Sequence, residues 1–266
     1  MRVAVLYDDI SERPAAATDV AAVLQSVEAV EAALRELGHA PVRVPVPPIL
    51  DGWPARLARA NPDVVFNLCE GAGRESADEA KVAGAVELLG LPMTGSGAET
   101  LALARRKDRV NALLGAADIP VPAWTLVKEE DGVPEWERFP AIVKPAGEDA
   151  SYGISQKSVA ENEQALAAAL DATALRPVII QEFLSGPELA VGFVGETVLP
   201  ISEILFRTRP EVPWPIVSYR AKWDEGSPED LCTVPRCPAR LDRRTRERAT
   251  EIARAAWQLV EGRGYG

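Results

Sequence analysis

Lys144 ends the apolar run Ala141-Ile-Val143 and is followed at once by Pro145, a pattern that predicts a buried strand presenting one ammonium group at its tip. The residues that follow are small. Gly147, Ala150, Ser151 and Gly153 leave backbone amides open to an approaching anion, and the Ser151 hydroxyl adds a donor, which together suit a phosphate chain. The same residues also describe a surface lysine before a flexible hairpin, so the rest of the chain has to decide. Upstream stands a second basic cluster, Arg105-Arg106-Lys107, closed by Asp108. Glu70 and Glu75 follow another apolar run, in the position where loop carboxylates meet substrates or simply face water.

Other chemistries are poorly supplied. His39 is the single histidine and follows a helix-ending Gly38, which takes Ser-His-Asp chemistry off the list of plausible mechanisms and leaves nothing ready to activate Cys69 as a nucleophile. Cys69 reads as a small buried apolar residue, and His39, just after Gly38, as a surface turn residue. Cys232 and Cys237 lie close together but have no histidine near them, which argues against zinc. Three cysteines, no leader-like segment and no long apolar run point to a reducing cytoplasm.

The 266 residues suffice for a large core, and 47% hydrophobic with 26% charged residues is a globular balance. A net charge of −11 opposes a nucleic-acid or anionic-membrane surface, so any phosphate site must be a local concentration of cations.

The elements that must position these groups follow in order. Val3-Ala-Val-Leu-Tyr7 predicts the first strand of a parallel sheet, and no G-x-G-x-x-G fingerprint follows it, which counts against NAD or FAD. Val20, Val23, Leu24, Val27, Val30, Leu34 and Leu37 form a helical apolar stripe ending at Gly38. Strands are expected at 42–44 and 63–67, a helix over 78–89, and a capping box from Ser96 and Glu99 for a helix carrying residues 105–108. The proline-punctuated joint Ala117-Asp-Ile-Pro-Val-Pro122 marks a boundary. Beyond it the pattern predicts an α+β unit: strands at 124–127, 141–144 and 178–184, a helix over 161–170, and a hairpin of 188–194 with 198–203 turning at Gly195. A final arginine-rich helix spans about 242–261.

Six blocks in this order resemble the D-alanine–D-alanine ligase branch of the ATP-grasp superfamily. They are Val64-Val-Phe-Asn67, Leu88 to Gly97, Ile119-Pro-Val-Pro122, Phe139 to Ser155, Glu182 to Glu188, and Ala221-Lys222. The resemblance implies an α/β fold of α+β subdomains, with a Rossmann-like parallel-sheet subdomain at 1–118, a central ATP-grasp lid at 119–186 and an incomplete C-terminal ATP-grasp subdomain at 187–266. It implies that ATP lies between two antiparallel sheets and contacts Lys107, Lys144 and Lys222, with Ser151 and Gly153 in the phosphate loop. Gln181, Glu182, Phe183 and Leu184 match the adenine-holding linker and Glu188 the ribose-binding carboxylate, while Lys222 and Ser151 are assigned to the catalytic step. The implied reaction joins a carboxylate to an amine through an acyl phosphate, with ATP and an amino acid or small peptide as partners, no nucleic acid, no membrane and, by analogy, a homodimer.

The departures from the family pattern fall on the acceptor side. Asp8-Asp9-Ile10-Ser11 stands where the family has a Gly-Gly-x-Ser-x-Glu segment, Ala150 precedes Ser151, Trp223 follows Lys222, and Glu70 replaces a histidine. Glu70, Glu75 and Trp223 are therefore the candidate substrate residues, and the substrate identity stays open. The resemblance also places the Mg²⁺ carboxylates beyond Gly266, with no metal ligands within 1–266, so the chain as given is expected to bind nucleotide weakly and to turn over slowly or not at all. A nucleotide-binding or scaffold protein without turnover remains the alternative reading.

Overall fold

The computed structural model describes residues 1–9, 18–47, 52–71 and 76–266. They divide into two compact units, 1–103 with 261–266, and 104–260.

In the first unit, β1 (Arg2–Asp8) lies between β2 (Ala40–Val46) and β3 (Val64–Leu68), all parallel. The continuous apolar run of β1 is what a strand covered on both faces requires, and Val3, Ala4, Val5 and Leu6 are all buried. Alternation sends Ala4 and Leu6 to one face, where they pack with Val44, Val46 and Val65. That cluster is completed by Trp53 and Leu57 of α2 (Trp53–Ala60) and Val82 and Val86 of α3 (Asp78–Leu88). Helix α1 (Thr18–Glu36) packs on β1 and β2. Met93 extends the sheet by one parallel bridge to Val65. The last residues of the chain belong to this unit. Tyr265 donates to the Asn67 carbonyl at 3.2 Å, and Gly264, at φ +75°, lies so close that a Cβ there would stand 2.8 Å from the Gly95 nitrogen. No other residue fits at that crossing without displacing backbone.

The second unit begins at the end of α4 (Ala98–Ala104) and contains α5 (Lys107–Ala116). A four-stranded antiparallel sheet follows, in the order β4 (Trp124–Val127), β7 (Val178–Glu182), β5 (Ala141–Pro145), β6 (Val159–Ala160). One face, carrying Ala141, Val143, Val178 and Ile180, is covered by Leu166, Ala169 and Leu170 of α6 (Glu163–Ala172). A second antiparallel sheet has the order β12 (Thr233–Arg236), β11 (Ser202–Phe206), β8 (Glu188–Ala190). Between β8 and β11 the two-residue strands β9 (Phe193–Val194) and β10 (Thr197–Val198) close a tight hairpin at Gly195. Helices α7 (Tyr219–Trp223) and α8 (Pro228–Leu231) pack on each other, tied by a hydrogen bond between Ser218 and Glu229, and α9 (Arg243–Leu259) ends the unit.

The hairpin expected of 188–194 with 198–203 forms about Gly195: β9 pairs with β10 next to the turn and β8 with β11 farther out, with the register offset by one residue between the two. Other expectations need correction. Strand β12, between Cys232 and Cys237, went unpredicted because Pro235 and Arg236 hide its alternation. Leu37 lies past the end of α1 and is 71% exposed, whereas Glu31 takes a buried position because Arg43 of β2 grips it through two hydrogen bonds of 3.0 and 2.9 Å. Residues 105–108 do not share one helix: Arg106 is extended, at φ −90° and ψ 91°, and breaks the chain between α4 and α5. The Ser96 hydroxyl bonds to the backbone of Arg263.

Leu57 is fully buried and Leu88 is 90% exposed, which sets a clean contrast. Leu57→Ala should lower unfolding free energy by about 2–5 kcal/mol, while Leu88→Ala should stay within about 0.5 kcal/mol of wild type in denaturant titrations.

Candidate nucleotide site

The period of two that buries Ala141 and Val143 under α6 turns Ile142 and Lys144 to the opposite face of the sheet. There a cavity of about 590 Å³ opens, walled by β5 and β7 of one sheet and by Glu188 and Phe206 of the other. Of the residues singled out in the sequence, Lys144, Ser151, Gln181, Glu182, Phe183, Leu184 and Glu188 line it. Lys107, Gly153, Lys222 and Trp223 belong to the same unit but are not part of its wall. Glu70 lies in the first unit, where its backbone N–H is held by the Asp8 carboxylate at 3.0 Å, and Glu75 lies outside the described residues.

Burial pushes the Lys144 ammonium below the ordinary lysine range, and repulsion from Lys107 adds to this, while Glu188 opposes both. Burial likewise lowers Lys107, against the pull of Asp149 and Glu148 and with the help of Arg105. Its Nζ donates to the Glu148 carbonyl and lies 3.9 Å from the Asp149 carboxylate, so Lys107 is tied to the loop that follows β5. Glu188 keeps contact with solvent in the open cavity, yet the surrounding protein pushes its carboxyl above the usual range and the Lys144 charge pulls it back. Two cations under mutual and desolvation strain make a receptor for a polyanion, whose charge would relieve both costs.

The loop after β5 is strapped down. Ala150, Ser151 and Gly153 all have left-handed backbone, at φ +53°, +61° and +76°, a conformation that costs the two non-glycine residues about 1 kcal/mol each. Four contacts with residues 217–223 offset that cost. The Ser151 hydroxyl donates to the Val217 carbonyl at 2.8 Å, Tyr219 N–H donates to the Ile154 carbonyl at 2.9 Å, and the Trp223 indole N–H donates to the Ala150 carbonyl at 2.9 Å. Tyr152 and Tyr219 meet edge to face, 6.1 Å apart. In this arrangement the Ser151 proton is committed to Val217, and Lys222 is exposed, its Nζ 5.4 Å above the Trp223 ring.

At the far end of the cavity, Phe183 packs edge to face on Trp214 and against Ile142 and Ile216, while Leu184 is 61% exposed. The N–H groups of Glu182 and Phe183 are spent on the Ala123 and Pro140 carbonyls. Glu182 also turns its carboxylate to Arg138 and the Ala123 N–H, at 3.6 and 3.4 Å, so it serves the sheet edge. The wall formed by Pro215, Ile216 and Val217 was missed from sequence. Its signal was a Trp-Pro-Ile-Val run inside a proline-rich loop, fastened by paired hydrogen bonds between Gln156 and the Trp214 backbone.

Trp223→Phe removes one strap and keeps an aromatic ring under Lys222. Losing that single hydrogen bond should speed amide exchange across residues 150–154 by about three- to tenfold, with exchange in β7 unchanged.

Comparison with known proteins accounts for this arrangement. Residues 113–266 match the family model described as the D-ala D-ala ligase C-terminus. The D-alanine–D-alanine ligase of Gluconobacter oxydans (strain 621H) is 32% identical over 267 residues, covering 99% of this chain and 81% of that one. Among solved structures, the D-alanine–D-alanine ligase of Bacillus anthracis complexed with ATP superposes with a TM-score of 0.73 at 17% identity, over 100% of this chain and 79% of its own. The VanG D-Ala:D-Ser ligase of Enterococcus faecalis gives 0.70 at 18%, over 99% and 84%, and at these identities the likeness is one of fold. With a family model covering more than half the chain, a relative aligned along nearly all of it and the two facing antiparallel sheets of the ATP-grasp fold, the chain belongs to the D-alanine–D-alanine ligase family of ATP-dependent C–N ligases.

Proposed function

We propose that this protein joins a small amino-acid carboxylate to an amine at the expense of ATP, using the cavity between its two antiparallel sheets. The observation that carries the reading is Lys144 facing Glu188 across that cavity, with the strapped loop at one end and the apolar Phe183–Leu184 corner at the other. Adenine would lie against Phe183 and Leu184, the ribose hydroxyls would donate to Glu188, and the phosphates would run toward Lys144, Lys107 and the loop. Lys222 would join them only if Trp223 releases it toward the phosphates.

The substrate carboxylate oxygen attacks the γ-phosphorus and ADP leaves; the amine then attacks the acyl-phosphate carbonyl and phosphate leaves as the nitrogen gives up a proton. Cations aimed at oxygens that gain charge supply most of what this chemistry needs. For the Mg²⁺ expected with ATP, no group of three or more His, Cys, Asp or Glu that could hold a metal occurs among the described residues. D-alanine is the reference substrate of the relatives. The changed acceptor-side residues Ala150 and Trp223 engage each other through backbone carbonyl and indole, a pairing that leaves the choice of amino acid to experiment. We further infer cytoplasmic location and a homodimer; no helix among the described residues is long and apolar enough to cross a membrane.

The test is ADP release with ATP, Mg²⁺ and a panel of D- and L-amino acids. Amino-acid-dependent ADP release supports the reading, and ATP binding with no release under any amino acid would leave a nucleotide-binding protein without turnover. Because the protonated lysine is the form that holds phosphate, and burial lowers its pKa, ATP affinity should fall with rising pH earlier than an ordinary lysine would allow. Lys144→Met should weaken ATP at least about tenfold, flatten that pH dependence, and raise the Glu188 pKa further by removing the charge that lowers it, as read by carboxyl NMR.

A further inference from the structure

A second cationic cavity lies at the other face of the β5–β7 pair. Pro145 follows Lys144, so it points to the opposite side of the sheet, where a pocket of about 170 Å³ is lined by Arg105, Arg106, Gly147, Glu148, Leu175 and Arg176 together with Pro145 and Pro177. It shares no lining residue with the larger cavity. Its lining brings three arginines and one glutamate together, in a protein of net charge −11.

The three are differently occupied. Arg106 is neutralised by Asp108 through two hydrogen bonds of 2.8 and 2.6 Å. Arg105 donates from Nη1 to the Gly147 carbonyl, a neutral acceptor, with the Glu148 carboxyl on the same wall. Arg176 donates from Nη2 to the Leu170 carbonyl at 2.9 Å, and its Nη1 is buried with no hydrogen-bond partner among the described residues. A shielded guanidinium with an unmet donor is costly unless an acceptor completes it. A tetrahedral oxyanion offers several acceptor oxygens to donors converging from different segments, which is how arginine forks recognise phosphate.

We propose that Arg105, Arg106 and Arg176 form a binding site for a small oxyanion of the phosphate class, separate from the cavity assigned to ATP. The ion would link the chain before α5, the loop after β5 and the turn before β7, fixing both flanks of the strand that carries Lys144. This assignment stands on the arginine cavity and does not require the ligase reading. Its ligand is either free phosphate or the terminal phosphoryl group of a larger molecule; the volume is too small for a nucleoside to enter.

The experiment is thermal and calorimetric titration of the intact chain with inorganic phosphate, and in parallel with AMP, at constant ionic strength set by chloride. Phosphate should bind saturably and raise the melting temperature, as any ligand of the folded state does. Arg105→Gln should weaken it about tenfold or more, and Lys144→Met should leave it within about twofold. Arg176→Gln should behave like Arg105→Gln; if it fails to fold, the Arg105 variant still decides. Binding of phosphate alone would identify free oxyanion, and Arg105-sensitive binding of AMP as well would identify a terminal phosphoryl group. The proposal is overturned if phosphate has no saturable effect beyond chloride, or if Lys144→Met abolishes binding that Arg105→Gln retains.

Discussion

Everything around the larger cavity depends on keeping the Lys144 ammonium at a place where burial works against its charge. In a chain with eleven more acidic than basic groups, an anion is not drawn in by the general field; it is drawn by cations that lack compensation nearby. Lys144 has Glu188 across the cavity and Lys107 behind the loop, and the balance of these leaves its protonated form under strain. A phosphate chain relieves that strain, so the price of building the site is recovered when ligand binds.

The loop that follows β5 obeys the same logic at the level of backbone. Two non-glycine residues sit in left-handed conformation, a state that persists only where neighbours over-determine it. Here the neighbours are Val217, Tyr219 and Trp223, contributed by a segment some seventy residues later in the chain, so the phosphate loop and α7 form one mechanical element. A change at Trp223 therefore acts on loop geometry as well as on any substrate it touches.

The first unit is largely legible in the amino-acid sequence. A continuous apolar run means a strand covered on both faces, and an apolar stripe at helical spacing means a helix lying on it; β1, β3, α1 and α3 follow those rules. The failures share one cause. Leu37 is apolar and exposed while Glu31 is charged and buried, because an arginine on a strand outside the local window captured the carboxylate. Strand β12 pairs with the far edge of β11, and local alternation did not reveal it because strand pairing is chosen by long-range partners.

The sequence by itself determined the fold family, the order of the elements and the identity of the lysine at the strand tip, since periodicity and short motifs are local properties of a chain. Only the tertiary structure decided how those motifs are used. It turned Glu182 to a sheet edge, gave the Ser151 proton to Val217, set Lys222 over an indole and gathered Arg105, Arg106 and Arg176 from segments some seventy residues apart into one cavity. Hydrogen bonds and charge are settled by which groups meet in space, and burial sets their strength. Neither is fixed until distant segments pack.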